Sequence, residues 1–209
     1  MKKASAPRSP GRPKLDSNQQ PLQELILKTA AAMFMEQGFE SISLQQIAKA
    51  CNITKASIYY YFPNKGELFT ASLIGMLHSA HYHTGLFLAA EGPIKGKLIG
   101  IIEVKIRQSH NDMETMLREA LAHLSEDQLT RIRDAEQAIH ELVAQYFARA
   151  MEENQIRRGD PHLMAHAFTA LAMLGNREHA AEPYQSTMEM AAAIIELFWE
   201  GIAPIHEPN

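Results

Sequence analysis

Between Ile53 and Lys65 the chain reads ITKASIYYYFPNK. Three phenolic hydroxyls, on Tyr59, Tyr60 and Tyr61, follow Thr54, Lys55 and Ser57. A helix cannot hide four consecutive aromatic side chains on one face, so part of this run must point away from any core. A tyrosine hydroxyl can donate to a phosphate oxygen while its ring covers sugar atoms, and Lys55, Ser57 and Thr54 add polar reach toward phosphates or base edges. This is the chemistry of holding a polyanion. The histidines suggest a different chemistry: His78, His81 and His83 cluster, and His162 and His166 stand one helical turn apart, a spacing compatible with two metal ligands. No carboxylate or cysteine completes either set at a recognised spacing, so we expect no metal. Nor is there a nucleophile elbow, a phosphate loop or a metalloprotease motif. We expect no catalytic residue, no cofactor and no enzyme.

Charge agrees with the polyanion reading. The chain of 209 residues carries a net charge of −4, yet residues 1–66 hold nine Lys/Arg against four Asp/Glu, or +5, leaving −9 for the rest. A basic N-terminal third on an acidic protein suggests a local polyanion-binding face. The single cysteine, Cys51, excludes an internal disulfide and suits a reducing compartment. No signal-peptide core follows the basic N-terminus, and charges break every apolar stretch before a membrane-spanning length. The expected location is the cytoplasm, with no membrane partner.

The elements that must position these residues are all helical. Residues 1–20, rich in Lys, Arg, Pro and Ser, form a flexible basic arm. After Pro21, apolar residues from Leu22 to Phe34 recur at helical spacing, and Gly38 is placed to end that helix in the left-handed conformation. Ser43 and Gln46 form a capping box for a short helix carrying Leu44, Ile47, Ala48 and Cys51 on one face. Asn52 takes the turn. A third helix runs from Lys55 to Phe62, capped by Thr54 and stopped by Pro63. In it Ile58 and Phe62 share the inner side, leaving Lys55, Ala56, Tyr59 and Tyr60 outside with Tyr61 at the margin. Asn64 with Glu67 caps a long fourth helix whose free N–H groups, together with Lys65, make a second phosphate site. Further helices are expected over 95–109, 112–123, 126–154, 161–179 and 184–202, with no strand. Two short helices joined by a tight turn make a helix-turn-helix, whose second helix lies in the DNA major groove.

The stretch ILKTAAAMFMEQGFESISLQQIAKACNITKASIYYYFPNKGELF, residues 26–69, resembles the DNA-binding domain of the TetR family of transcriptional regulators. The shared pattern is an I-A-x-x-A core, a turn, an aromatic-rich recognition helix ending in Phe, and a Lys-x-x-Leu helix start. Three positions depart from it: Cys51 at the last alanine of the core pattern, Asn52 for the turn glycine, and Ala56 for a frequent glycine. The resemblance implies DNA contacts from Ser43, Gln45, Thr54, Lys55, Ala56, Ser57, Tyr59, Tyr60, Tyr61 and Lys65. Gln45, Lys55 and Ala56 are the better candidates for base readout, the tyrosines and Lys65 for phosphate. Within SPGRPK, Gly-Arg-Pro suits minor-groove insertion of Arg12.

The resemblance implies an all-α fold: a helix-turn-helix domain over 21–68 and a helical effector-binding and dimerisation domain over 69–209. Composition suggests an apolar ligand pocket drawn from Met76, Leu77, Phe87, Ile101, Met113, Met116, Leu117, Leu121, Tyr146 and Phe147, since Met and aromatic side chains adapt to apolar molecules. The last two helices have wide apolar faces. Pairing across a two-fold axis would bury Leu163, Ala167, Ala170, Leu171 and Leu174 against Ala191, Ile194, Ile195 and Phe198 in a four-helix bundle. The expectation is a homodimeric repressor that leaves a palindromic double-stranded operator when a small, largely apolar effector binds. Two alternatives stay open: a helical metal-dependent enzyme using the histidines, and an architectural DNA-binding protein without an effector.

Overall fold

The computed structural model describes residues 19–108, 113–176 and 182–202, and among them every regular element is a helix. In chain order these are α1 (Gln19–Gln37), α2 (Leu44–Ala50), α3 (Lys55–Tyr61), α4 (Lys65–Ala89), α5 (Ile94–Gln108), α6 (Met113–Ala120), α7 (Glu126–Glu152), α8 (Pro161–Ala172) and α9 (Thr187–Ile202). Short 3₁₀ turns follow α6 at Leu121–His123 and α8 at Met173–Asn176.

Local chemistry explains the boundaries. Gly38 ends α1 at φ +81°, its N–H donating to the Phe34 carbonyl, and Asn52 makes the α2–α3 turn at φ +55°. The expected capping box at Ser43 and Gln46 is present, and Ser125 with Gln128 builds a second one for α7. Asn64 caps α4 by accepting from the Glu67 N–H at 2.8 Å. Glu67 does not complete a capping box there. Its carboxylate instead accepts from Gln128 Nε2 at 2.7 Å and faces Arg131 at 3.6 Å, because a partner on α7 outcompetes the local backbone.

Two apolar cores lie along the molecule. One gathers α1, α2, α3 and the first half of α4 around Phe34, Phe39 and Phe69, whose rings stand 5.0–5.9 Å apart. It extends past the helix-turn-helix, taking Met116 and Ala120 from α6 and Ile132 and Ala135 from α7. The other begins at Leu88 and packs α5, α7, α8 and α9 around Phe147, Phe168 and Phe198. Helices α4 and α7 run in parallel between them. Glu67 meets Gln128 at one end, and at the other Leu142 lies 3.8 Å from where a Gly85 Cβ would stand.

The sequence-level lists fare unevenly against this packing. Ala191, Ile194, Ile195 and Phe198, expected at a dimer face, are buried in the protomer's own second core. Helix α9 is apolar on most of its circumference, and periodicity does not say which stripe turns inward. Leu163 and Ala170 of α8 and Leu174 of the turn after it do face outward, while Ala167 and Leu171 are half-buried against the second core. On α9 the exposed apolar side chains are Met188 and Leu197.

The expected ligand lining divides between the two cores. Leu77 and Met116 are buried in the first, with Met76 and Leu117 packed against it, and Phe147 is buried in the second, with Ile101 against it. Leu121 is exposed, Phe87 packs beside Gly100, and the Met113 side chain lies outside the described residues. Among the ten, Tyr146 alone borders the cleft of about 570 Å³ between the ends of α4 and α7 and the start of α5. Apolar residues at helical spacing mark burial, which a solid core and a cavity wall share.

Candidate nucleic-acid interface

Helix α3 is held from beneath by Ile58 and Phe62, both buried. At its start Thr54 Oγ1 accepts from the Ser57 N–H at 3.1 Å and pairs with Ser57 Oγ at 2.8 Å. Both hydroxyls are thus partly committed to the cap. The opposite face is open: Tyr59 is 47% and Tyr60 70% exposed, beside exposed Lys55 and Ala56. Tyr61 is half-buried against the first core, its ring edge-on to Tyr60 at 5.1 Å, so it buttresses the exposed tyrosine. Lys55 Nζ lies 5.6 Å from the Tyr59 ring centroid, which keeps a cation beside that phenol.

Ser43, Gln45, Lys55, Tyr59 and Lys65 share the walls of a single groove of about 480 Å³. Gln45 is exposed there, whereas the Ser43 hydroxyl is engaged with Gln46. Lys65 is gripped more firmly than its type suggests. Its Nζ donates to the Glu40 carbonyl at 3.4 Å and stands 4.1 Å from the Phe39 ring centroid. Partial burial lowers its pKa, and the Glu40 carboxylate offsets part of that shift. A lysine fixed at the first turn of a helix, where backbone N–H groups and the dipole also favour anions, suits a phosphate oxygen. Arg12 lies outside the described residues.

Sequence reasoning missed what braces this face from behind. Glu119 of α6 accepts from the Phe39 N–H at 3.1 Å, and His123 Nε2 pairs with Glu40 Oε1 at 2.9 Å. A Cβ on Gly66 would stand 2.9 Å from the His123 carbonyl, so α4 passes against that turn as closely as glycine permits. The two hydrogen bonds join residues 80 and 83 positions apart, and no local periodicity announces them. Among the described residues no three His, Cys, Asp or Glu side chains could hold a metal ion. His140 and His166 stack on each other at 4.3 Å, and His162 faces Glu141 at 3.7 Å.

A short exposed helix, set on a tight turn and braced by a helical C-terminal bundle, defines a helix-turn-helix protein of two-core, all-α architecture. Residues 26–71 match the family model described as bacterial regulatory proteins, tetR family. The family likeness in sequence is carried by this N-terminal segment, about a fifth of the chain. The chain is 43% identical over 51 residues to the uncharacterized HTH-type transcriptional regulator YuxN of Bacillus subtilis, covering 24% of this chain and 18% of that one. It is 36% identical over 52 residues to the biofilm operon icaADBC negative transcriptional regulator IcaR of Staphylococcus epidermidis, covering 25% and 28%. The match thus spans less than a third of these curated relatives. The fold likeness extends further. The crystal structure of reduced E. coli NemR superposes with a TM-score of 0.74 over 90% of this chain and 100% of that one, at 19% identity. That of AibR in complex with isovaleryl coenzyme A and operator DNA does so with a TM-score of 0.61 over 84% and 97%, at 21% identity. Among the described residues no helix is long and apolar enough to cross a membrane.

Proposed function

We propose that this protein is a cytoplasmic, homodimeric transcriptional repressor that binds a palindromic double-stranded operator and releases it when a small molecule occupies the C-terminal domain. One observation carries the reading: the outward face of α3, with Tyr59 and Tyr60 exposed beside Lys55, shares a groove with Gln45 and the braced Lys65. An aromatic and cationic face this exposed adds little to the core, and its groups suit phosphate, sugar and base edges. Residues 21–68, with the first turn of α1 reaching back to Gln19 into the expected arm of 1–20, form the DNA-contacting unit and 69–209 the effector and dimer unit, with Arg12 of the arm entering a flanking minor groove. Repression is supported by IcaR's description as a negative regulator, and effector control by AibR's complex with a coenzyme A thioester and operator. The protein is a regulator and not an enzyme.

The outward residues of α8, the turn after it and α9, with Leu163, Ala170, Leu174 and Leu197 at their centre, bring two copies together and set two α3 helices one turn of DNA apart, about 34–36 Å. Genome-wide mapping of bound DNA tests the proposal. Recovered sites should share a palindrome, and duplexes carrying it should bind the purified dimer more tightly than scrambled ones. Deleting residues 1–14 should weaken A·T-flanked sites most and leave the melting temperature unchanged. Recovery of unrelated sequences with equal affinities would refute operator recognition.

A further inference from the structure

The cleft of about 570 Å³ lies at the end of α4 away from Lys65, roughly 30 Å along that helix at 1.5 Å per residue. Its size suits a small molecule. Three helices converge on it: the last turns of α4 with Leu88, the start of α5 with Lys95 and Lys97, and α7 with Leu142, Tyr146 and Arg149. Trp199 of α9 closes one side. Lys95 is engaged with Glu196. Lys97 donates to the Leu88 carbonyl at 3.1 Å and stands 5.6 Å from the Tyr146 ring centroid, and Arg149 Nε donates to the Gln145 carbonyl at 3.4 Å. Among the described residues no carboxylate comes within ion-pairing distance of Lys97 or Arg149. The cleft therefore offers two cations that form no close ion pair among the described residues, beside two aromatic rings and an aliphatic wall, with Glu153 as the one carboxylate in its lining.

We infer that this cleft binds an organic anion, a carboxylate or sulfonate on an aromatic or aliphatic body, with the acid between Lys97 and Arg149 and the body against Tyr146, Trp199, Leu88 and Leu142. A bare anion would leave the rings unused, and a neutral apolar molecule would cover both cations while each had only a backbone carbonyl to answer its charge. The site deepens the effector reading and depends on it only for its consequence at DNA. Helices α4 and α7 both border the cleft, and both reach the Glu67–Gln128 contact two residues from Lys65. A ligand that wedges their ends acts on both supports of the DNA-facing lysine.

Trp199 is the only tryptophan, so its fluorescence reports on the cleft in the full-length protein. The probes are 1-anilinonaphthalene-8-sulfonate and N-phenyl-1-naphthylamine, the same ring system without the acid. The sulfonate should quench Trp199 saturably and bind at least about tenfold more tightly than the amine. Lys97→Gln and Arg149→Gln should each weaken the sulfonate by about tenfold and leave the amine unchanged. Arg149 bonds only within its own helix, so its variant remains informative if loss of the Lys97 tie to Leu88 disturbs the fold. Equal affinities for the two probes, absence of saturable quenching, or sulfonate binding that ignores both substitutions would overturn the inference. Operator binding by the same preparations separates the two readings: a protein that takes up the sulfonate as described but binds no DNA refutes the regulator and leaves the cleft standing.

Discussion

The Glu119 carboxylate accepts a hydrogen bond from the backbone N–H of Phe39 at 3.1 Å, tying α6 to the loop that leads into the helix-turn-helix. The same oxygen would lie 2.8 Å from a Cβ on Gly38, whose φ of +81° already excludes most side chains. Gly38 thus serves the turn and the close approach together. Phe39 packs in the first core and Lys65 sits over its ring, so displacement of α6 is felt at a proposed phosphate contact.

Gly38→Ala should cost about 1–2 kcal/mol from the left-handed backbone, plus the clash with Glu119. Glu119→Ala should cost about 1 kcal/mol by orphaning the Phe39 N–H. In the double variant the clash is gone, so denaturant titration should show a smaller loss than the sum. Strict additivity would mean that the two residues do not touch in solution.

The Thr70 hydroxyl is fully buried and has no hydrogen-bond partner among the described residues. Thr70→Val keeps the shape and removes the unpaired group, so it should raise stability by about 1 kcal/mol. Chemical denaturation of the two proteins measures this directly, and a destabilised valine variant would imply a partner for the hydroxyl.

Surface and core apolar residues of the last helices should part company. Leu163 is 67% and Leu197 66% exposed, whereas Ile195 is fully buried. Leu163→Glu and Leu197→Glu should give folded monomers by light scattering that no longer bind a palindrome. Ile195→Glu should instead unfold the protomer, since an unpaired buried charge costs several kcal/mol. Dimers persisting in both surface variants would remove α8 and α9 from the interface.

His140 should contribute to the pH dependence of stability. Burial first, then the nearby His166 and Lys105, pushes its pKa below the usual histidine value of 6.5. The unfolded chain then binds the proton before the folded one does, so stability fully present above about pH 6.5 is lost as pH falls from there through the lower folded value. Melting temperatures between about pH 7.5 and 5.5 should drop less steeply for His140→Gln than for the parent protein, and parallel curves would place the sensitivity elsewhere.

The helix-turn-helix was legible because its signals are local. Caps at Ser43, Thr54 and Asn64, the positive φ at Gly38 and Asn52, and the four-residue spacing of Ile58 and Phe62 all act within one or two turns of chain. The exposed Tyr59 and Tyr60 follow from that spacing. What stayed hidden depends on which helix is the neighbour. Glu67 reads as a capping residue until α7 offers Gln128 and Arg131. Phe147 and Ile195 read as pocket or interface residues until the second core claims them. Leu197, one polar residue away from Ile195, carried no signal of its own.

The salt dependence of operator affinity tests most directly whether the α3 face and Lys65 bind duplex DNA. Anisotropy titrations from roughly 50 to 200 mM salt should give Lys65→Ala a weaker affinity for all sequences alike and a salt slope shallower by about one unit. Gln45→Ala and Lys55→Ala should alter base preference instead. Unchanged affinity and slope in both Lys65→Ala and Tyr59→Ala would contradict the assignment of this face.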